Sequence, residues 1–349
     1  MRFAYPLIIA GLVRLTKRIT GSLAGMLEKY DRICLLSHIN PDGDAIGSLL
    51  GLYWYLRKKG KTVGMAIPNS IPHFLVFLPG SSRIRIYAED APAVDRLIGK
   101  AQLIICLDFN ESDRLGGMLK TFEASEAEKI LIDHHPCPGK FTHHVISITG
   151  VSSVTEILYM LINAIEVSPW LDKNIAACLF TGIMTDTGCF QFSSSQPQTY
   201  LIVARLLKQG IDKDKIYSKV YDNFSAGRMR LMGYALSEKM VVMKDIRTAY
   251  ITLTRKELKK YSHVTGDTEG FVNLPFSIRG IKVTALLIEK KDQVRLSFRS
   301  RGSVDVNRFA GLYFNGGGHR NAAGGESYET MDETVKRFEH LIREFLSER

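Results

Sequence analysis

Cysteine is scarce and unpaired: five residues in 349, at positions 34, 106, 137, 178 and 189, with no CxxC spacing. That excludes a disulfide framework and a zinc knuckle. Because most of the five lie in apolar runs, it predicts reduced, buried thiols in a cytoplasmic protein. Long apolar runs are lacking too. The opening stretch, MRFAYPLIIAGLVRLTKRIT, has one arginine before a short apolar segment and then Arg14, Lys17 and Arg18 after it. A signal peptide carries its charges ahead of its apolar core, and a spanning helix needs roughly 20 apolar residues. The expectation is an N-terminal amphipathic helix or a start extension, with no stable membrane insertion and at most contact with a membrane surface. There is no internal repeat and no low-complexity tract, which excludes a solenoid or a long disordered linker. Acidic residues are outnumbered, 36 against 46 Lys and Arg, for a formal net charge of +10. That surplus favours anionic partners, whether nucleic acid, nucleotides or a membrane surface, and leaves the fold undetermined.

What is present is length and order. A chain of 349 residues with 45% hydrophobic and 23% charged residues has room for two globular domains. Continuous apolar runs at 32–37 (RICLLS), 62–67 (TVGMAI), 102–108 (QLIICLD), 128–133 (EKILID) and, more weakly, 143–148 (HHVISI) read as strands. Helical patterns separate them, including GDAIGSLLGLYWYLRKKG with its glycine stop at Gly60, and further helices are expected at 152–165 and 171–185. Apolar strands alternating with helices predict an α/β fold with a parallel sheet covered on both faces. From 197 to about 240 the chain is helical and charged, which reads as a connector between domains and is equally compatible with a packed helical subdomain. Beyond 245, shorter alternating strands at 248–254, 281–289 and 293–299 and a closing helix at 331–347 predict a smaller α+β domain. The expected organisation is an extension at 1–24, the parallel-sheet domain at 25–200, a helical connector at 201–240 and the second domain at 241–349.

The chemistry gathers where strands stop. SHINPDGDAIGS places His38, Asp42 and Asp44 just after the first strand; Asp108 ends the third, and Asp133-His134-His135 ends the fourth. Asp186 follows a helical run in GIMTDTGCF. Each piece alone reads as a turn or a cap, since Asn40-Pro41 and Asp42-Gly43 are good turn formers. In an open α/β sheet, however, all carboxyl strand ends share one edge, where ligands bind. The pattern therefore predicts convergence of His38, Asp42, Asp44, Asp108, His134 and Asp186. Such a cluster of carboxylates repels itself unless cations sit within it. Carboxylate and imidazole donors without thiolate favour Mn²⁺, with Mg²⁺, Co²⁺ or Fe²⁺ as alternatives, over structural zinc. Six donors exceed what one substrate-binding ion needs. Two ions about 3.5–4 Å apart, sharing a carboxylate and a hydroxide, match the count and the chemistry of phosphoester attack.

These segments also resemble a family. HINPDGDAIGS, LDFNESDRLG, IDHH and GIMTDTGCF resemble, in order, the four motifs of the DHH phosphoesterases, and FNGGGHRNAAG (314–324) resembles the glycine-rich signature of the DHH-associated C-terminal domain. Spacing and length are similar to the nano-RNase/pAp-phosphatase branch, over about residues 25–345. The resemblance implies one ion on His38, Asp42 and Asp108, and a second on Asp44, Asp108, His134 and Asp186, with Asp108 bridging. It implies that Asp133 orients the histidine pair, that His135 faces the phosphate and helps protonate the leaving oxygen, and that Arg114 contacts phosphate. In the second domain Gly316, Gly317 and Gly318 would let backbone N–H groups approach an anion, with His319 and Arg320 as added donors and Arg299 as a fork for a terminal phosphate or a base. Asn315 stands where many relatives carry glycine. The implied activity is hydrolysis of short oligoribonucleotides to mononucleotides and of 3′-phosphoadenosine 5′-phosphate to AMP. The alternatives are a linear or cyclic dinucleotide phosphodiesterase and, outside enzymes, a nucleotide-sensing or RNA-binding protein. A pyrophosphatase lacks the GGGH signature, and a processive exonuclease of the RecJ type carries an extra nucleic-acid-binding domain. Assembly as a homodimer is compatible with the sequence.

Overall fold

The apolar runs become strands whose alternate residues enter two different cores. In the computed structural model, which describes residues 16–264 and 266–347, the chain divides into two units, the first ending at Asp222 and the second beginning at Asn223.

The first unit runs α1 (Lys17–Lys29), β1 (Arg32–Leu36), α2 (Gly43–Lys58), β2 (Thr62–Ile67), β3 (Ile84–Ile86), α3 (Ala91–Gly99), β4 (Leu103–Leu107), α4 (Leu119–Ala124), β5 (Glu128–Asp133), β6 (His144–Ser147), α5 (Val154–Ile165), α6 (Lys173–Asp186), α7 (Pro197–Leu207) and α8 (Lys213–Tyr221). Its six strands are all parallel, in the order β3-β2-β1-β4-β5-β6. Along β1, Ile33 and Leu35 enter the core shared with α1, α2, α5 and α6, whereas Cys34 and Leu36 enter the one shared with α3 and α4. Both faces are thus covered, which is why the strands read as unbroken apolar runs. The chain starts at the centre, builds outward through β2 and β3, then returns to lay β4 on the other side of β1. The switch point, where crossovers diverge and leave a crevice at the strand ends, lies between β1 and β4.

Helix α2 packs antiparallel against α6 at very short range: a Cβ on Gly47 would stand 2.6 Å from the Cys178 carbonyl oxygen. The same pairing sets Gly43, at the start of α2, beside Thr185 near the end of α6. Asp42, Asp44 and Asp186 are brought to one place by this contact.

The structure departs from the sequence expectations at several points. Residues 17–24 belong to α1, whose Leu23, Met26 and Leu27 are buried in the core against α5; apolar side chains three and four apart make one face of a helix. The expectation for residues 1–15 lies outside the described residues. Strand β3 was not anticipated, being three residues long with only Ile84 buried. Helices α7 and α8 bury Ile202, Val203, Leu206, Ile216 and Val220 in the first unit's core. Cys34, Cys106 and Cys178 are buried, but Cys137 is exposed and Cys189 half-buried, both in turns with left-handed backbone. No helix among the described residues is long and apolar enough to cross a membrane.

The second unit contains α9 (Ala226–Ser237), β7 (Met240–Met243), β8 (Thr248–Leu253), α10 (Arg255–Lys260), β9 (Val283–Glu289), β10 (Val294–Ser300), α11 (Val306–Tyr313), β11 (Gly317–His319), β12 (Ala322–Ser327) and α12 (Met331–Ser347). Its sheet has the order β11-β12-β10-β9-β8-β7, antiparallel except for β8 beside β9. One face buries Leu296 and Phe298 against Phe309, Phe338 and Phe345 of α11 and α12. On the other face Ile251 and Leu286 pack with Leu231 and Ala235 of α9.

Candidate metal centre

At the switch point β1 runs on into Ser37 and His38, and the Ser37 hydroxyl donates to the Leu107 carbonyl (2.8 Å), tying the ends of β1 and β4 together. Asp108 follows β4 with φ +67° and is 2% exposed. Aspartate tolerates this left-handed backbone better than most residues, at a cost of order 1–3 kcal/mol, and such strain is retained where the surrounding structure fixes it. The turn aims the Asp108 carboxylate between two imidazoles. His38 Nε2 lies 3.6 Å from its Oδ2, and His134 Nε2 lies 3.6 Å from its Oδ1. His134 Nε2 is also 3.6 Å from Asp186 Oδ2. These separations are too long for hydrogen bonds. They leave one group able to hold a metal at His38, Asp42 and Asp108, another at Asp44, Asp108 and His134, and a third at Asp108, Asp133 and His135, all three sharing Asp108.

The remaining carboxylates are held by helix starts. Asp42 caps α2, its Oδ1 accepting from the N–H groups of Asp44 and Ala45 at 3.0 Å each, and its carboxylate lies within metal-sharing reach of His38 and Asp108. Asp44, 1% exposed, accepts from Val154 N–H at Oδ2 (2.6 Å) and from the N–H and hydroxyl of Thr155 at Oδ1 (3.0 and 2.8 Å). Asp133 is fully buried; its Oδ1 meets His135 Nδ1 at 2.8 Å, while Oδ2 has no hydrogen-bond partner among the described residues.

Electrostatics fit a group of cations. Burial, then the charges of Asp44, Asp42, Asp186 and Asp133, holds the Asp108 carboxyl well above the usual range. Burial and Asp42 push Asp44 up to about 7, although its bonds to Thr155 and Val154 pull the other way. Burial lowers His38, and burial followed by His135 lowers His134 to about 4. Neutral imidazoles with a lone pair, set among carboxylates that cannot all ionise together, are what divalent cations would relieve. The donor set fits oxygen- and imidazole-binding ions such as Mn²⁺ or Mg²⁺. His38 Nδ1 lies 2.9 Å from the Ile39 carbonyl, the contact that leaves Nε2 available as a ligand, and Arg114 Nη2 stands 2.8 Å from the same Nδ1.

In the second unit Arg299 on β10 and His319 on β11 are both directly paired with Ala322 on β12. Directly paired residues share a face, so Arg299 and His319 flank the small Ala322, roughly 10 Å apart at two strand spacings. The glycines serve the chain's own packing as well: Gly316 donates its N–H to the Ala310 carbonyl. Gly318 has φ +144°, and a Cβ there would stand 2.5 Å from the Ala322 carbonyl oxygen. Gly317 opens β11 in register with Gly324, and the Arg320 guanidinium donates to the Ser303 carbonyl. Thr155 was not among the residues the sequence singled out; its only signal was SSVTE, which reads as a helix start.

A parallel sheet that gathers carboxylates and imidazoles at its switch point, followed by a mixed α+β unit, has the donor set of a metal-assisted hydrolase. Residues 32–183 match the DHH family, N-terminal domain, and residues 258–348 match the DHHA1 domain. The chain is 32% identical to the bifunctional oligoribonuclease and PAP phosphatase NrnA of Thermus thermophilus, over 90% of each chain. It is 28% identical to the Bacillus subtilis protein of the same name, over 91% of this chain and 97% of that one. Among solved structures, an exopolyphosphatase-related protein from Bacteroides fragilis superposes with a TM-score of 0.91 at 43% identity, covering 95% of this chain and 99% of that one. RecJ from T. thermophilus in complex with Mn²⁺ shares the fold at a TM-score of 0.54 and 12% identity, covering 95% of this chain and 55% of that one. The chain belongs to the DHH family of phosphoesterases.

Proposed function

We propose that this chain is a two-metal phosphoesterase of the cytoplasm that hydrolyses short oligoribonucleotides to mononucleotides and 3′-phosphoadenosine 5′-phosphate to AMP. The observation that carries the reading is the Asp108 carboxylate, with one oxygen toward His38 and the other toward His134. His38, Asp42 and Asp108 would hold one ion, and Asp44, Asp108, His134 and Asp186 the other, with Mn²⁺ favoured. Bound there, the ions would supply a nucleophile at neutral pH and stabilise charge developing on the phosphoryl oxygens. The chain's own groups do the rest. Asp133 accepts the Nδ1 proton of His135; as the imidazolium, His135 keeps that bond and can give its Nε2 proton to the departing oxygen, returning to the neutral Nδ1–H form. When His38 binds metal through Nε2, its Nδ1 proton goes to the Ile39 carbonyl and Arg114 loses its acceptor, leaving that guanidinium for a phosphate. In the second unit, Arg299 and His319 would bind a nucleotide's phosphate or base. The names of the NrnA relatives support these substrates.

The test is product analysis after incubating the EDTA-stripped chain with pApA, longer oligoRNA, pAp, a cyclic dinucleotide and inorganic polyphosphate, with and without Mn²⁺. The expected result is Mn²⁺-dependent AMP from pApA and pAp, lost in Asp108→Asn. Turnover of the cyclic dinucleotide or polyphosphate alone would overturn the substrate assignment, and no turnover with metal bound would favour a sensor.

A further inference from the structure

Asp44 is held by a chain of hydroxyls whose proton order follows once its carboxylate is ionised. In its ionised form, the one a cation binds, Asp44 only accepts, so Thr155 Oγ1 donates to Asp44 Oδ1 across 2.8 Å. Ser153 Oγ stands 2.8 Å from Thr155 Oγ1, and since the Thr155 proton is committed, Ser153 is the donor there. Ser153 Oγ in turn accepts from the Glu156 N–H at 3.1 Å. The sequence is therefore Glu156 N–H to Ser153, Ser153 to Thr155, Thr155 to Asp44, every step pointing at the carboxylate. Both hydroxyl residues are fully buried, and hydrogen bonds in series within a low-dielectric interior polarise one another. The chain is also sterically locked. A Cβ on Gly182 would stand 2.4 Å from Thr155 Cγ2 and 2.9 Å from Asp44 Oδ1, so α6 closes over the pair only because residue 182 is glycine.

With two donors on Oδ1 and one on Oδ2, Asp44 retains one unfilled acceptor position, on Oδ2. We propose that Thr155, polarised by Ser153, is a positioning residue that fixes the Asp44 carboxylate in one orientation and thereby sets the divalent-cation affinity of the Asp44-containing site alone. The inference rests on the two-metal reading above and deepens it. Hydrogen-bond partners of metal-ligating groups typically change metal affinity 10–100-fold when removed. The other cation site, at His38, Asp42 and Asp108, makes no use of this chain and keeps its affinity.

The experiment is a Mn²⁺ titration of the EDTA-stripped full-length protein, following the electron paramagnetic resonance signal of free Mn²⁺. Wild type is expected to take up two equivalents. Thr155→Val, which keeps the shape and removes the hydroxyl, is expected to weaken one equivalent 10–100-fold and leave the other unchanged. Thr155→Ser restores the donor and is expected to bind both like wild type, while Ser153→Ala weakens the same equivalent several-fold. If Thr155→Val does not fold, the Ser153→Ala and Thr155→Ser pair decides. Wild-type affinities in Thr155→Val overturn the proposal; so does equal weakening of both equivalents in every variant, the mark of a merely structural role. Failure of wild type to bind Mn²⁺ overturns the metal centre itself, and the inference with it. The product assay separates that outcome from a wrong substrate assignment.

Discussion

His135 Nδ1 stands 2.8 Å from the Oδ1 of Asp133, two residues before it on the end of β5. Burial alone would raise the Asp133 carboxyl, but the His135 bond and the charges of His135 and His134 outweigh it and hold the group below its usual range. Asp133 is therefore a carboxylate at neutral pH, fixing the proton of His135 on Nδ1. Asp133→Asn presents an amide that can also donate to Nδ1, allowing the wrong tautomer. The expected result is a loss of kcat of about 10²-fold or more, with Mn²⁺ stoichiometry unchanged, read by single-turnover kinetics beside a metal titration. Loss of metal with loss of activity would instead make Asp133 a ligand.

Acidity makes a second prediction, from opposed groups. A free aspartate ionises near 4, and in the folded chain Asp44 is raised to about 7. Between those values the metal-stripped folded chain keeps a proton that the unfolded chain has lost. The stability this group contributes is present below about pH 4 and is lost as pH climbs to 7. His134, lowered by burial from the ordinary 6.5 to about 4, gains stability over pH 4 to 6.5 and opposes it. Mn²⁺ needs Asp44 ionised, so binding at pH 6 is expected to release protons and affinity to rise from pH 6 to 8, with Asp108 adding to the same release. Calorimetry in two buffers of different ionisation enthalpy measures both. A pH-independent affinity with no proton release contradicts the prediction.

Gly47→Ala adds a methyl group 2.6 Å from the Cys178 carbonyl oxygen, where helix backbone has to yield. It is expected to destabilise the chain by about 1–3 kcal/mol in urea unfolding, a typical penalty for overpacking. Because the same helix pair sets Asp42 and Asp44 against Asp186, Mn²⁺ affinity falls as well. Unchanged stability would mean that α2 and α6 separate at no cost.

Arg299→Lys keeps the charge and removes the planar fork. If the row of Arg299, Ala322 and His319 holds a phosphate or a base, KM for pAp rises about tenfold while Mn²⁺ binding stays the same. A change in kcat alone would place Arg299 outside ground-state binding.

Strand ends were readable because β1, β4 and β5 are apolar on both faces and stop abruptly at His38, Asp108 and Asp133, so the residues that break the runs announce themselves. The pairing of Thr155 with Asp44 was invisible, since the partners are 111 residues apart and meet only once α2 and α5 have packed. An N-terminal amphipathic helix is one of two readings of the sequence, but the apolar stretch before it obscured where α1 lies and that Leu23, Met26 and Leu27 join the core. Strand β3 is too short for an alternating pattern to register. The left-handed turn at Asp108 left no mark in the sequence, because aspartate accepts that backbone without needing glycine.

That turn governs how an inactive form of this enzyme should be made. At φ +67° position 108 asks two things of its occupant, a charge and a tolerance for an uncommon backbone. Alanine removes both, so a dead Asp108→Ala protein could owe its silence to a shifted β4 end as much as to a missing ligand. Asparagine keeps the shape and the tolerance, removes the charge and turns one acceptor oxygen into an amide donor. It is the substitution to choose for a decoy that holds substrate without consuming it.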